Sequence, residues 1–486
     1  MSELLTPDIC VIGAGSGGLT VAAVAAAFGV PVVLIEKGRM GGDCLNYGCV
    51  PSKALIAAAK HAETIRSAPQ FGVNASSGDD PHVDFRKVNE HVNSVIAAIA
   101  PNDSEERFTA MGVRVIRARG RFVDKRTVEA GDYRIRARRF VIASGSSPFV
   151  PPIPGLDTVD YFTNETIFAN RRKLQNLIVI GGGPIGLELA QAFRRLGSKV
   201  TVIEAARAFA RDDPELADIV LRSVRGEGID IREGTQVSRV ERRGKNGIRV
   251  HVGPVDGSTG GPDGEEEVID GSDLLVATGR LPNTEGLGLD EARIRHDRRG
   301  IKVDATLRTS NRRVYAIGDI AGSLQFTHVA NYHAASVVRA ILFRQGVKPD
   351  MTIVPRVTFT DPEIASVGLD EEAARAAHKS INVLRWPFSE NDRARAERKA
   401  HGMIKLITDT KGKILGVAIV GADAGEMINM WALALSKKMT VRDIAGYVAP
   451  YPTLAEIGKR AATTYYAPMA RKPIIRSLVN FLRKFG

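Results

Sequence analysis

Ile9-Cys10-Val11-Ile12-Gly13-Ala14-Gly15-Ser16-Gly17-Gly18 is an apolar run that breaks into glycines, and from Leu19 to Phe28 it continues as an alanine-rich, helix-favouring segment. The predicted order is strand, glycine turn, helix. A second apolar run, Pro31 to Ile35, closes the unit on the acid Glu36, 18 residues after Gly18. Each residue type has its own reason. Gly13 permits the tight turn, Gly15 lets the backbone approach a pyrophosphate, Gly18 lets helix pack on strand, and Glu36 can accept from a ribose hydroxyl. The pattern returns at Leu177 to Ile180, with Gly181, Gly183 and Gly186, a helix from Leu187 to Leu196, then Lys199 to Ile203 and Glu204. Two such units predict two dinucleotide sites.

Two further apolar strands end in small residues, Phe140 to Gly145 and Leu274 to Gly279, and suit a chain that must turn sharply there. Between them, Val255 to Glu267 is rich in Gly, Asp and Glu and reads as an exposed hairpin loop. From Met351 onward, strand-like runs (Val354 to Phe359, Met403 to Thr408, Ile414 to Val420) and helical patterns (Gly425 to Ser436, Leu454 to Tyr465) predict a third, α+β domain. The length, 486 residues, agrees with about three domains.

Apolar residues are 44% and charged residues 25% of the chain, which excludes wholesale disorder and a coiled-coil rod. A net charge of +12 favours anionic ligands or lipid headgroups, but no aromatic-interleaved basic patch accompanies it, so no nucleic-acid partner is expected. Three cysteines rule out a disulfide scaffold and point to a reducing compartment. With no signal-like N-terminus and no apolar run of spanning length, the expectation is a soluble cytoplasmic enzyme.

Gly41-Gly42-Asp43-Cys44-Leu45-Asn46-Tyr47-Gly48-Cys49-Val50-Pro51-Ser52-Lys53 holds two cysteines five positions apart. Such a pair is metal-binding, redox-active or idle. No second cysteine pair or histidine cluster completes a zinc site, so no metal site is expected, and an idle pair would not require the surrounding glycines and Pro51. The favoured reading is a cycling disulfide, its thiolates stabilised by a helix N-terminus or a cation. Cys10, in the first strand, reads as core.

The segment Gly41 to Lys53, the two dinucleotide units and Val314-Tyr315-Ala316-Ile317-Gly318-Asp319 together resemble the pyridine nucleotide–disulfide oxidoreductases, a family that includes dihydrolipoamide dehydrogenase, mercuric reductase and glutathione reductase. The resemblance runs to about Met469. It implies an α/β protein with two Rossmann-like dinucleotide-binding domains (1–152 with 280–349 for FAD, 153–279 for NAD(P)), a C-terminal α+β dimerisation domain (350–468) and a basic tail (469–486). It also implies a homodimer that passes electrons from nicotinamide through flavin to a Cys44–Cys49 disulfide and on to a small-molecule or disulfide acceptor. Cys49 would lie against the flavin, Cys44 would face the substrate, Lys53 and Glu188 would form the ion pair beside the ring, and Asp319 would hold the ribityl chain. Gly42, Gly145 and Gly279 join the cofactor-contacting glycines by the same resemblance. Glu204 favours NAD(H) over NADP(H), with Arg207 and Arg211 as the residues that could instead accept a 2′-phosphate.

The chain departs from that pattern in several places. The His-Pro-Thr-x-x-Glu stretch, whose histidine serves the partner subunit's active site, here reads Tyr451-Pro452-Thr453-Leu454-Ala455-Glu456. A tyrosine near pKa 10 is a poor proton shuttle, so poor turnover of dihydrolipoamide or glutathione is expected. Mercuric reductase also carries tyrosine there, yet the tail has no cysteine pair and no metal-capture domain precedes the first strand, so mercury is expected to be an inefficient substrate. Asp43 replaces the family's threonine and should raise the Cys44 thiol, and Pro184 replaces an aromatic lid. These changes favour an acceptor needing little acid–base help: a metal ion, a quinone, oxygen or a reactive disulfide. The alternatives are dihydrolipoamide dehydrogenase or mercuric reductase activity proper, a flavin-only diaphorase, and a non-catalytic flavin-bearing membrane scaffold. The tail itself sets Arg471, Lys472, Arg476, Arg483 and Lys484 against an apolar stripe and predicts either peripheral contact with the inner membrane surface or docking on the dimer.

Overall fold

The computed structural model describes residues 2–74, 81–244, 247–255, 267–322 and 324–485, and the Val255–Glu267 hairpin lies outside these apart from its ends. The chain divides into two compact units, Met1–Ala205 with Thr235–Pro349, and Ala206–Gly234 with Asp350–Gly486.

In the first unit, five strands form a wholly parallel sheet in the order Val314–Ala316, Arg139–Ile142, Ile9–Ile12, Val32–Glu36, Arg114–Arg117. Side chains alternate across it. Ile9, Val11, Leu34 and Val141 pack beneath Leu19, Ala22 and Val337, while Cys10, Ile12, Val33 and Phe140 face a second cluster around Phe122 and Ile135. Burial on both faces is what a parallel sheet requires, and it explains the unbroken apolar runs. A second parallel sheet pairs Asn176–Ile180 with Lys199–Ile203 and with Asp273–Val276.

Both glycine-led helices start earlier than their apolar patterns predict, at Ser16–Ala27 and Pro184–Arg195. Gly17 and Gly18 are helical, and Pro184 occupies the first turn, where its missing N–H costs no hydrogen bond. A Cβ on Gly18 would lie 1.8 Å from the Gly13 carbonyl oxygen, and one on Gly186 would lie 2.0 Å from that of Gly181. Gly183, by contrast, has nothing within 4 Å. Gly18→Ala and Gly186→Ala should each therefore cost about 1–3 kcal/mol or prevent folding, whereas Gly183→Ala should leave the urea midpoint unchanged. Equal midpoints for all three variants would contradict this.

The second unit is built on an antiparallel sheet in the order Arg356–Thr358, Glu363–Gly368, Ile414–Gly421, Met403–Asp409, Ile381–Pro387. Helices Ala424–Ser436 and Glu456–Thr464 bury Ile428, Trp431, Ile457 and Ala461 against Ile404, Leu406, Val417 and Ile419. The helix Pro214–Gly226 belongs to this unit and packs on the strands Glu363–Gly368 and Ile414–Gly421. At its start lies a cluster of buried charge. Lys405 Nζ reaches Asp213 (2.8 Å), Glu215 (3.0 Å) and Glu371 (2.7 Å), and both Lys405 and Asp213 side chains are only 5% exposed. The chain closes with the helix Pro473–Leu482, none of whose residues is buried. Among the described residues no helix is long and apolar enough to cross a membrane.

Candidate active site

Gly41 and Gly42 take left-handed conformations (φ +84° and +59°), turning the chain into the short helix Gly42–Asn46 that carries Cys44. After Gly48, Cys49 is the first residue of the helix Cys49–Ser67. Both cysteines are thiols in this structure, Cys44 half-buried and Cys49 exposed. The Cys49 Sγ lies at the positive end of its own helix and 3.3 Å from the hydroxyl of Thr327, which opens a second helix, Thr327–Leu342. The hydrogen bond from Cys44, the Thr327 hydroxyl and the Lys53 ammonium outweigh burial and lower the Cys49 thiol to about 6. The same sulfur–sulfur hydrogen bond, followed by burial, pushes Cys44 well up. The reduced pair is thus one thiolate and one thiol at neutral pH.

That asymmetry is open to measurement. The alkylation rate of Cys49 in the reduced protein should hold level from pH 8 to 7, then fall as pH drops through about 6, where the thiolate gains its proton. A midpoint above 8 would contradict the arrangement.

Lys53, one turn along the same helix, pairs with Glu188 at 2.6 Å, the carboxylate side chain being 8% exposed. Asp43 does more than sit beside Cys44. Its Oδ1 receives Arg280 Nη2 at 3.0 Å and Asn164 Nδ2 at 3.3 Å, and Asn164 also donates to the Tyr47 carbonyl at 3.2 Å. A Cβ on Gly48 would lie 2.7 Å from Asp43 Oδ2, so the carboxylate clamps the loop between the two cysteines. Asp43 does act upward on the Cys44 thiol, but behind the Cys49 hydrogen bond and burial.

Arg280 continues the chain of contacts. It donates to the Ser146 hydroxyl and carbonyl, each at 2.8 Å, and Ser146 donates to Asp319 Oδ2 at 2.5 Å. Burial raises the Asp319 carboxyl above the usual range. The Gly318 N–H next to it donates to His333 Nδ1 at 3.2 Å, and burial lowers that histidine to about 4, leaving a neutral imidazole as acceptor. Thr327, Arg280, Asn164, Ser146 and His333 were not singled out from the sequence. All but His333 meet their partners more than 100 positions away, His333 meets Gly318 15 positions away, and no local spacing signals any of these contacts.

The two glycine turns are built alike. Gly13 and Gly181 have positive φ, and a Cβ there would lie 2.3 and 2.4 Å from the carbonyls of Ala143 and Ala277. Glu36 accepts the Ala14 N–H at 2.7 Å and Glu204 accepts the Gly182 N–H at 2.7 Å. Among the described residues, a Cβ on Gly145, Gly183 or Gly279 would meet nothing within 4 Å, and one on Gly15 would meet only the Gly42 Cα, at 4.0 Å. These positions leave an open cradle beside a helix N-terminus, and the residues present fit a dinucleotide.

Tyr451 and Glu456 belong to the second unit. The Tyr451 hydroxyl donates to Asp392 at 3.0 Å, and that carboxylate holds the phenol above its usual value. Glu456 opens the helix Glu456–Thr464. Arg207, also in this unit, donates to the Pro214 carbonyl and pairs with Asp218 at 2.7 Å.

Comparison with known proteins places this geometry. Residues 7–334 match the family model for pyridine nucleotide-disulphide oxidoreductases, and residues 354–462 match that family's dimerisation domain. Mercuric reductase of Lysinibacillus sphaericus is 35% identical over 94% of this chain and 82% of its own length. Dihydrolipoyl dehydrogenase of Thermus scotoductus is 35% identical over 93% and 95%. Among solved structures, the Cu(II) complex of the HOCl-induced flavoprotein disulfide reductase RclA from Escherichia coli has a TM-score of 0.81 at 28% identity, covering 93% of this chain and 98% of that one. LpdA from Mycobacterium tuberculosis has a TM-score of 0.84 at 26% identity, covering 95% and 99%.

Proposed function

The chain belongs to the pyridine nucleotide-disulphide oxidoreductase family, and from that premise we propose that it uses Cys44 and Cys49 to reduce a thiophilic metal cation, with the cupric ion as substrate. The enzyme class is that of the FAD- and pyridine nucleotide-dependent flavoproteins, and the dimerisation domain makes it a homodimer. FAD, when bound, supplies two-electron exchange between nicotinamide and sulfur. Gly13, Gly15, Gly18, Glu36, Gly42, Gly145 and Asp319 are the residues proposed to hold it, with Gly181, Gly183, Gly186, Glu204 and Gly279 for the nicotinamide nucleotide. Lys53, kept beside the ring by Glu188, would supply positive charge.

The observation that carries the acceptor proposal is the Tyr451–Asp392 hydrogen bond. Reduction of a disulfide releases a thiolate that needs a proton, and by the family pattern Tyr451 stands where disulfide reductases place histidine. A phenol that donates to a carboxylate, with its pKa raised, is no base at neutral pH. A cupric ion makes no such demand. It is a borderline cation that accepts thiolate sulfur, its cuprous product is soft and favours that sulfur, and Cys49 is already ionised at neutral pH. Each NADH oxidised to NAD⁺ and H⁺ releases two electrons, enough to convert two Cu(II) to two Cu(I). The Cu(II) complex of the similar RclA supports this choice over mercury.

The nucleotide is proposed to be NADH. The Glu204 carboxylate would repel a 2′-phosphate, and Arg207 is engaged with Asp218.

An anaerobic assay with the holoenzyme tests both parts. NADH oxidation should depend on added Cu(II), yield two chelator-trapped Cu(I) per NADH, and show a higher kcat/KM with NADH than with NADPH. Copper-independent NADH consumption together with rapid lipoamide turnover would end the acceptor proposal.

A further inference from the structure

Among the described residues, none in the C-terminal helix is buried, and the helix lies beyond residue 462, where the match to the family's dimerisation domain ends. From its two-sided chemistry we infer that it is an interfacial helix, docking the homodimer on an anionic lipid bilayer. At 3.6 residues per turn, Ile474, Ile475, Leu478, Val479, Phe481, Leu482 and Phe485 fall within an arc of roughly 160°, and Arg476, Ser477, Asn480, Arg483 and Lys484 fill the remainder. The separation of the two faces is complete. Ile474 is 75% exposed and Phe485 73%, and Leu478, Val479, Phe481 and Leu482 are each about half exposed.

The shape is regular enough to present that face. Pro473 sits in the first turn, and the helical pattern carries on past Leu482 through bonds from Arg483 N to Val479 O (3.0 Å) and Lys484 N to Phe481 O (3.1 Å). Arg476 Nε donates to the Ala470 carbonyl at 3.0 Å and anchors the entry. Phe481 and Phe485 meet edge to face at 5.0 Å on the apolar side.

Charge selects the occupant. Residues 470–486 carry five Lys or Arg and no Asp or Glu. A neutral bilayer would satisfy the apolar arc alone, whereas an anionic bilayer satisfies both arcs at once, taking the aliphatic and aromatic groups among acyl chains and leaving the cations among headgroup phosphates. The seven apolar residues are too few to span, so the helix lies in the interface plane. The homodimer presents two copies, which raises the avidity of a helix that alone would bind weakly.

Vesicle sedimentation with the full-length holoenzyme tests this inference. Vesicles of phosphatidylglycerol and phosphatidylcholine should pellet the wild type, vesicles of phosphatidylcholine alone should not, and added salt should weaken binding. The triple variant Arg476→Glu, Arg483→Glu, Lys484→Glu should lower the partition coefficient about 100-fold or more, and Leu478→Ser with Phe481→Ser should abolish it. In both variants, flavin content, NADH turnover and dimer mass by light scattering should be unchanged. Equal binding to neutral and anionic vesicles, or no binding to either, would overturn the inference. So would dissociation of the dimer in the tail variants, since the helix would then be a subunit contact. Vesicle partition, flavin content and dimer mass do not depend on which acceptor the cysteines reduce.

Discussion

Replacing Cys44 by serine lowers NADH-dependent copper reduction by at least about 10³-fold while leaving most of the NADH–ferricyanide activity in place; this is the expected result of separating the two sulfurs by task. Cys49 is the acidic member of the pair, held as thiolate by the Cys44 hydrogen bond, Thr327 and Lys53. Cys44 stays protonated beside it and is the half-buried sulfur on the short helix Gly42–Asn46. A serine hydroxyl keeps the shape and a hydrogen-bond donor but neither holds copper as a thiolate does nor closes a disulfide. An outer-sphere acceptor such as ferricyanide needs neither property. Copper turnover above a tenth of the wild-type rate in Cys44→Ser would show that the metal is reduced without the sulfur pair. Equal loss of both activities would instead point to damage at the cofactor.

The largest expected effect on stability comes from Lys405→Met, which keeps the side-chain volume and removes the charge. Lys405 is held above the ordinary lysine range, since burial acts against its charged form but Asp213, Glu371 and Glu215 together outweigh it. Without the ammonium, the Asp213 side chain, 5% exposed to water, would still bond the Glu215 N–H but would lose its direct ion pair. Removing one member of such a set costs about 3–5 kcal/mol at pH 7, and urea unfolding would read it directly. The pH dependence has a definite sign. Glu371 is lowered to about 2, first by its hydrogen bond to Lys405 and then by Arg375. Its contribution is therefore present above the unfolded carboxyl value and is lost as pH falls toward 2. The gap between wild type and variant should narrow over that window. A gap below about 1 kcal/mol at pH 7 would mean that Arg385, which also pairs with Glu215 and Glu371, suffices alone.

These two sites show what the sequence conveys and what it withholds. Gly13, Gly18, Gly181 and Gly186 could be read directly because their constraint is local. The clash each one avoids is with a carbonyl at a neighbouring strand end or five residues back in its own turn. The parallel sheets could be read because strands buried on both faces leave unbroken apolar runs. Helix starts were placed about three residues late, at Leu19 and Leu187, since glycine and proline read as breakers although the first helical turn tolerates both.

Contacts that close through space left no such trace. Cys49 and Thr327 are 278 positions apart, and Lys405 and Asp213 are 192 apart. Asp43 stands out in the sequence beside Cys44, but its engagement with Arg280 and Asn164 depends on the fold that brings three separate segments together. Lys53 and Glu188 were paired by family resemblance, not by spacing, and the 2.6 Å contact joins residues 135 apart.

The assignment of residues 206–234 to the C-terminal unit has a consequence for recombination between relatives. The acidic groups that neutralise Lys405 come partly from Asp213 and Glu215, far upstream of the sheet they serve. A chimera that grafts a homologue's C-terminal half after residue 349 would set the donor's residue at position 405 against the recipient's Asp213 and Glu215, without the upstream acids it is matched to. Exchange should succeed only when the upstream helix travels with the sheet, so natural shuffling of this unit alone is expected to involve three crossover points in place of one.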